Sequence, residues 1–193
     1  MNLPNKLSVL RMILVPIFVV VMMIVPDPWG SIIGVALFII ASLTDMLDGK
    51  IARKYNLITD FGKFIDPLAD KFMVIGSMLA ILAKMFMMGD FTLGKIFIWL
   101  VLIILFRELA VTSMRLVVAG NGVKVDLAAN LFGKLKTVSQ MVGTVVIIVE
   151  PIIPFFKENH ILSYVFIAVM AITTIGSGVN YFKAYLPHIN TNK

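Results

Sequence analysis

The chain has 193 residues, 60% of them hydrophobic and 15% charged, with a mean hydropathy of +0.98. A soluble domain of this length cannot hide so much apolar surface, so the composition predicts an integral membrane protein, a single domain over 1–193. A net charge of +6 would suit nucleic acid in a soluble chain; here it places lysines and arginines against anionic lipid, and the absence of cysteine excludes disulfides and thiolate metal sites.

Residues 1–8, MNLPNKLS, read as a short N-terminal interfacial helix, with Leu3 and Leu7 on lipid and Asn2, Asn5 and Lys6 in water. No small-residue cleavage site follows, so the first apolar run is read as retained. Runs long enough to span lie at about 9–25, 31–51, 66–89, 93–119, 133–156 and 161–183, which predicts an all-α bundle of six transmembrane helices. Turn chemistry separates them: Pro26-Asp27-Pro28-Trp29-Gly30, Gly89-Asp90, Gly120-Asn121-Gly122 and Lys157-Glu158-Asn159-His160. Pro151 and Pro154 should kink or end the fifth helix. The amphipathic 52–65 connection is expected to lie along the interface. Gly76, Ser77 and Ala80 would let a helix approach a neighbour closely, either in a second copy or within one bundle. Asp90 and Glu150 are expected to face interfacial water, and His160 and His188 sit in loops without partners.

Six spans place both termini on one side. Of the 17 lysines and arginines, Lys84, Lys95 and Lys157 fall on the opposite side and Arg107 lies within a span. All the others share the side of the termini, which the positive-inside rule assigns to the cytosol.

On that side lies DMLDGKIARKYNLITDFGKFIDPLAD, residues 45–70. Asp45 and Asp48 stand three apart, and Asp66 and Asp70 four apart, so each pair shares a helix face. Four carboxylates aimed into one gap repel one another and require cations. All-oxygen ligands suit Mg²⁺, Mn²⁺ or Ca²⁺, and paired divalent ions in such a cage suggest phosphoryl transfer. A divalent-cation transporter also presents clustered membrane acids, but near mid-membrane on broken helices. Here Lys50, Arg53, Lys54 and Lys63 surround the acids and would repel a cation in transit.

Asp45, Asp48, Gly49, Ala52, Arg53, Gly62, Asp66 and Asp70 reproduce the D-x2-D-G-x2-A-R-x8-G-x3-D-x3-D signature, in which the chain resembles the CDP-alcohol phosphatidyltransferase family. Eight fixed positions over a single stretch make a specific pattern. The resemblance implies two Mg²⁺ or Mn²⁺ ions on Asp45, Asp48, Asp66 and Asp70. It implies that Asp66 and Asp70 are the catalytic pair, with Asp70 accepting the proton of an attacking hydroxyl. It also implies a homodimer with contacts near the third and fourth helices. Asn5, Ser8, Asp48, Gly49, Arg53 and Thr59 match positions that hold the CDP-lipid. Pro4, Asn5, Leu7, Ser8 and Arg11 fit the family's PNxLTxxR lead-in, with serine in the threonine position. These residues also fit a juxtamembrane cap in which Lys6 and Arg11 hold lipid phosphate, and Arg53 also fits an interfacial anchor.

Arg107 and Glu108 lie inside the fourth run, where charge is costly unless paired, and adjacency on a helix predicts a different partner for each. Arg107, Glu108 and Thr137 are expected to support the site. Arg115, Lys134 and Lys136 would form a cationic pocket beside the aspartates, suited to an acceptor carrying its own phosphate. Helix-end lysines touching headgroups are the alternative. FRELAVTSMR followed by GKLKT is similar to bacterial family members that use glycerol 3-phosphate. The implied reaction is transfer of a phosphatidyl group from CDP-diacylglycerol to glycerol 3-phosphate at the cytosolic face of the cell membrane. An inositol-phosphate or cardiolipin-type acceptor is the alternative within the family.

Overall fold

The computed structural model describes residues 1–55, 57, 59–120, 131–156 and 159–189, the side chain of Arg53 excepted. They form six helices: α1 (Leu3–Ile24), α2 (Trp29–Lys54), α3 (Asp60–Met88), α4 (Phe91–Gly120), α5 (Leu131–Val149) and α6 (Ile161–Tyr185). All six are long and apolar enough to cross a membrane, so the chain is a six-helix membrane-spanning bundle.

The predicted spans are all present, but two connections differ from expectation. Residues 3–8 are not a separate interfacial helix; they are the first turns of an unbroken α1, capped by the Asn2 side chain, which accepts from Asn5 N–H at 3.1 Å. The expected interfacial stretch at 52–65 is mostly helix, because α2 runs on to Lys54 and α3 starts at Asp60. Thr59 fixes that start by accepting from Gly62 N–H at 3.0 Å. At the other end of α3, Gly89 adopts φ +87°, the left-handed conformation that glycine enters without strain. As predicted from Pro151, α5 gives way at Glu150–Ile152 to a short 3-10 turn.

The helices fall into two groups of three. α1 packs on both α2 and α3, while α6 packs on both α4 and α5; α3–α4 and α2–α5 contacts join the groups. Phe97, Leu100, Ile104 and Met170 are fully buried in the shared core, and Trp99, Phe106, Leu116 and Ile172 look outward, as lipid solvent allows. Of the two readings of Gly76, Ser77 and Ala80, the structure supports packing inside one bundle. A Cβ at Gly76 would meet Val15 of α1 at 2.5 Å, and Ser77 and Ala80 are buried.

At the end of the bundle away from the aspartate motif, two expectations are corrected. Glu150 does not face water: it is 1% exposed and accepts from Leu162 N–H at 2.8 Å, Ser163 N–H at 2.7 Å and the Ser163 hydroxyl. It thereby satisfies the orphan donors at the start of α6 and opposes the positive end of its dipole. His160 is not partnerless, because its Nε2 lies 3.4 Å from Asp90, which is only partly exposed. Nearby, Asp27 accepts from Lys84 at 2.6 Å and from the Ser31 hydroxyl at 2.8 Å, tying the α1–α2 turn to α3. Burial raises its pKa, but hydrogen bonding to Lys84 and Ser31 more than offsets this, so the carboxyl titrates below its ordinary value.

Glu150→Ala should destabilise the protein by about 2 kcal/mol, read as earlier thermal unfolding in detergent, because three donors lose a charged acceptor. An unchanged unfolding temperature would mean that the carboxylate does not anchor α6.

Candidate active site

Asp45 and Asp48 project from the last turns of α2, and Asp66 and Asp70 from the first turns of α3. These two helices hardly touch each other; α1 lies between them and brings the acids together. Arg11 is fully buried there. Its Nη1 donates to Asp45 at 2.6 Å and also to Asp70, and its Nη2 donates to Asp48. Ser8, one turn earlier on α1, completes the convergence. Its hydroxyl lies within hydrogen-bonding reach of Pro4 O at 3.1 Å, Asp48 at 3.3 Å and Asp66.

The predicted quartet is thus one cluster, with Arg11 at its centre rather than on lipid. Spacing alone did not reveal this role. The available signal was its place in the PNxLTxxR lead-in, three residues beyond the motif serine.

Charge and hydrogen bonding are both incomplete. One guanidinium faces four carboxylates, and the Ser8 hydroxyl has one proton for three acceptors. The buried Arg11 Nε has no hydrogen-bond partner among the described residues. Among the described residues no set of acids is already closed into a metal cage, because the carboxylates fold onto Arg11 instead. The donor set itself, four carboxylates with excess negative charge, fits hard divalent cations.

Opposite this cluster stands a cationic wall. A cavity of about 990 Å³ is lined by Asp45, Asp66 and Asp70 on one side and by Arg107, Glu108, Arg115, Lys134, Lys136 and Thr137 of α4 and α5 on the other. Asp70, at 52% side-chain exposure, is far more accessible than Asp48, at 5%. Arg107 and Glu108 each have the separate partner expected, Ser177 and Lys136, but the mutual pairing was not foreseen. They pair with each other at 2.9 Å, and Glu108 also receives Lys136. The arms are long enough to fold back along the helix surface once Ser177 and Tyr181 of α6 close over Arg107, at 2.7 Å and 5.0 Å. Lys136 is therefore buried and already ion-paired, whereas Arg115 and Lys134 are exposed and make no ion pair among the described residues.

The residues matched to CDP-lipid binding lie at the α1, α2 and α3 ends nearest the quartet. Asn5 donates to the Thr59 hydroxyl at 3.0 Å, and Asn2 donates to Leu57 O at 2.7 Å, so the lead-in is laced to the start of α3. A Cβ on Gly62 would come within 2.8 Å of the Asn5 side chain, which explains the glycine. Gly49 is half-buried beside Asp48 on α2. Arg53 lies on the same helix, but its side chain is outside the described residues, as is the segment 121–130, which contains Lys124.

Comparison with known proteins adds an independent line. The sequence profile described as CDP-alcohol phosphatidyltransferase matches residues 1–176. The chain is 39% identical over 194 residues to a protein of Bacillus subtilis (strain 168) named CDP-diacylglycerol--glycerol-3-phosphate 3-phosphatidyltransferase, covering 94% of each. A protein of the same name from Pseudomonas fluorescens is 32% identical, over 100% of this chain and 94% of that one. A probable phosphatidylglycerophosphate synthase of Mycobacterium tuberculosis (strain ATCC 25618 / H37Rv) is 36% identical, over 97% and 83%. With the acidic signature gathered into one cluster and relatives aligned over nearly their whole length, the chain belongs to the CDP-alcohol phosphatidyltransferase family.

Proposed function

We propose that this protein is a phosphatidylglycerophosphate synthase: it transfers the phosphatidyl group of CDP-diacylglycerol to glycerol 3-phosphate and releases CMP. The observation that carries the reading is the cavity with acids on one wall and bases on the other. It can bring together a cation-requiring diphosphate and an acceptor that bears its own phosphate. A neutral alcohol acceptor would have no use for the basic wall.

Asp45, Asp48, Asp66 and Asp70 would hold two Mg²⁺ or Mn²⁺ ions, which supply charge neutralisation at the diphosphate and at the departing CMP. Arg11 holds three of these carboxylates together and offsets part of their repulsion. Asn5, Ser8, Asp48, Gly49, Arg53 and Thr59 receive the nucleotide-lipid headgroup. Arg115, Lys134 and Lys136 take the acceptor's phosphate, with Lys136 exchanging its contact with Glu108 for it. A hydroxyl of glycerol 3-phosphate then attacks the phosphatidyl phosphorus. Its proton passes to Asp70, the more accessible carboxylate, as the bond to CMP breaks and CMP leaves as a phosphate monoester. An ionised aspartate is a weak base at neutral pH, so its contribution is mainly placement.

The distribution of lysine and arginine supports an active site and both termini in the cytosol. A homodimer completes the proposal, since family resemblance is what suggests it.

Asp70→Asn should abolish CMP release, lowering kcat by about a thousandfold or more, with the KM for CDP-diacylglycerol kept within about threefold. Normal turnover would remove Asp70 from the proton-accepting role. Lys136→Ala should raise the KM for glycerol 3-phosphate by about tenfold or more and leave that for CDP-diacylglycerol nearly unchanged. Equal rises in both would reassign Lys136 to supporting the bundle through Glu108.

A further inference from the structure

Beyond the reacting groups the cavity continues down α5, where two polar residues have no task in the reaction described above. Lys136, Gln140 and Thr144 follow one another at four-residue intervals and all line the cavity. The helix rise carries Gln140 about 6 Å and Thr144 about 12 Å further into the membrane than Lys136. Gln140 is 5% exposed and Thr144 is fully buried. The amide nitrogen of Gln140 and the hydroxyl of Thr144 have no hydrogen-bond partner among the described residues. A mid-helix threonine in apolar surroundings ordinarily bonds the carbonyl one turn back; this one does not. Buried donors left unmade cost more than apolar side chains of the same shape, so the pair requires an acceptor from elsewhere.

The surroundings identify its chemistry. At this depth the wall turns apolar, with Phe38, Met73 and Met78 facing Met141. Phe38 and Met141 also line a lipid-side groove of about 270 Å³ between α2 and α5, alongside Leu43 and Val146. Glycerol 3-phosphate, anchored at Arg115, Lys134 and Lys136, is too short to reach Thr144, two turns below its own phosphate site, and so cannot satisfy the pair. In a nucleotide-activated diacylglycerol, by contrast, the groups just deeper than the diphosphate are two ester carbonyls, which only accept hydrogen bonds, followed by acyl chains. We propose that Gln140 and Thr144 hydrogen-bond the acyl-ester carbonyl oxygens of the lipid substrate, with one chain leaving through the α2–α5 groove. This rests on the transferase reading above.

The test compares CDP-diacylglycerol with its dialkyl ether analogue, which lacks both carbonyls, using the purified full chain, glycerol 3-phosphate and Mg²⁺, and following CMP. The unaltered protein should show a KM about tenfold higher for the ether lipid. Gln140→Leu with Thr144→Val should raise the KM for the ester lipid to that of the ether, leaving those for the ether lipid and glycerol 3-phosphate within twofold. Thr144→Ser alone should keep the ester preference. The double apolar variant should unfold no earlier than the parent, since it removes unpartnered polar groups. Equal use of ester and ether by the unaltered protein would overturn the proposal while leaving the transferase reading intact. So would variants that weaken both lipids alike or raise the KM for glycerol 3-phosphate. Absence of CMP release from either lipid would sink the transferase reading and this proposal with it.

Discussion

The structure depends on the mutual repulsion of four carboxylates held in one cluster at the ends of two spanning helices. Two unit charges at 4 Å interact by about 1 kcal/mol in water and about 4 kcal/mol at the effective dielectric of a protein surface, so the quartet cannot persist without cations. Arg11 supplies one positive charge, and it does so from α1, the helix that separates α2 from α3. Ser8 reinforces the same junction by reaching Asp48 and Asp66. The first helix is therefore the clamp on which the acidic site is assembled. Its uninterrupted course from Leu3 is what carries Ser8 and Arg11 between the two acid-bearing helices. The charge that remains uncompensated is the physical reason for proposing that hard divalent cations complete the site.

The second group of helices provides the complement. α4 and α5 present bases across a shared cavity, and α6 fixes them from behind through Ser177 and Tyr181 on Arg107. Glu108 holds two cations at once, Arg107 and Lys136, so the basic wall is preorganised without being neutralised. The separation of acids onto α2–α3 and bases onto α4–α5 lets one cavity accept two phosphate-bearing molecules in different ways. In the proposal one would be taken through bound cations and the other by direct hydrogen bonds. In the proposed reaction the first is the nucleotide lipid and the second is glycerol 3-phosphate.

Much of this was legible in the sequence because its signals are local or periodic. Apolar runs located all six helices, and three- and four-residue spacings put each aspartate pair on one face. GKLKT marked the start of α5 with its two lysines. What escaped were contacts whose partners lie far along the chain. Arg11 meets acids 34, 37 and 59 residues away, and the first turns of a capped spanning helix carry the same amphipathic pattern as an interfacial one. Glu150 reads as a solvated acid near a helix end until α6 brings the N–H groups of Leu162 and Ser163 onto it. Adjacency on a helix separated Arg107 from Glu108, but long side chains bridged the difference. Gln140 and Thr144 passed unnoticed because isolated polar residues in a span have no motif, although their spacing from Lys136 was visible.

The central claim is that the aspartate quartet, excess in negative charge around Arg11, holds a pair of hard cations. Counting Mn²⁺ bound per chain by electron paramagnetic resonance, with CDP-diacylglycerol present, tests it most directly. The account predicts two ions on the unaltered protein and a loss of both sites when Asp66 and Asp70 are changed together to asparagine. Unchanged Mn²⁺ stoichiometry in that double variant, or no bound Mn²⁺ in the unaltered protein, would contradict it.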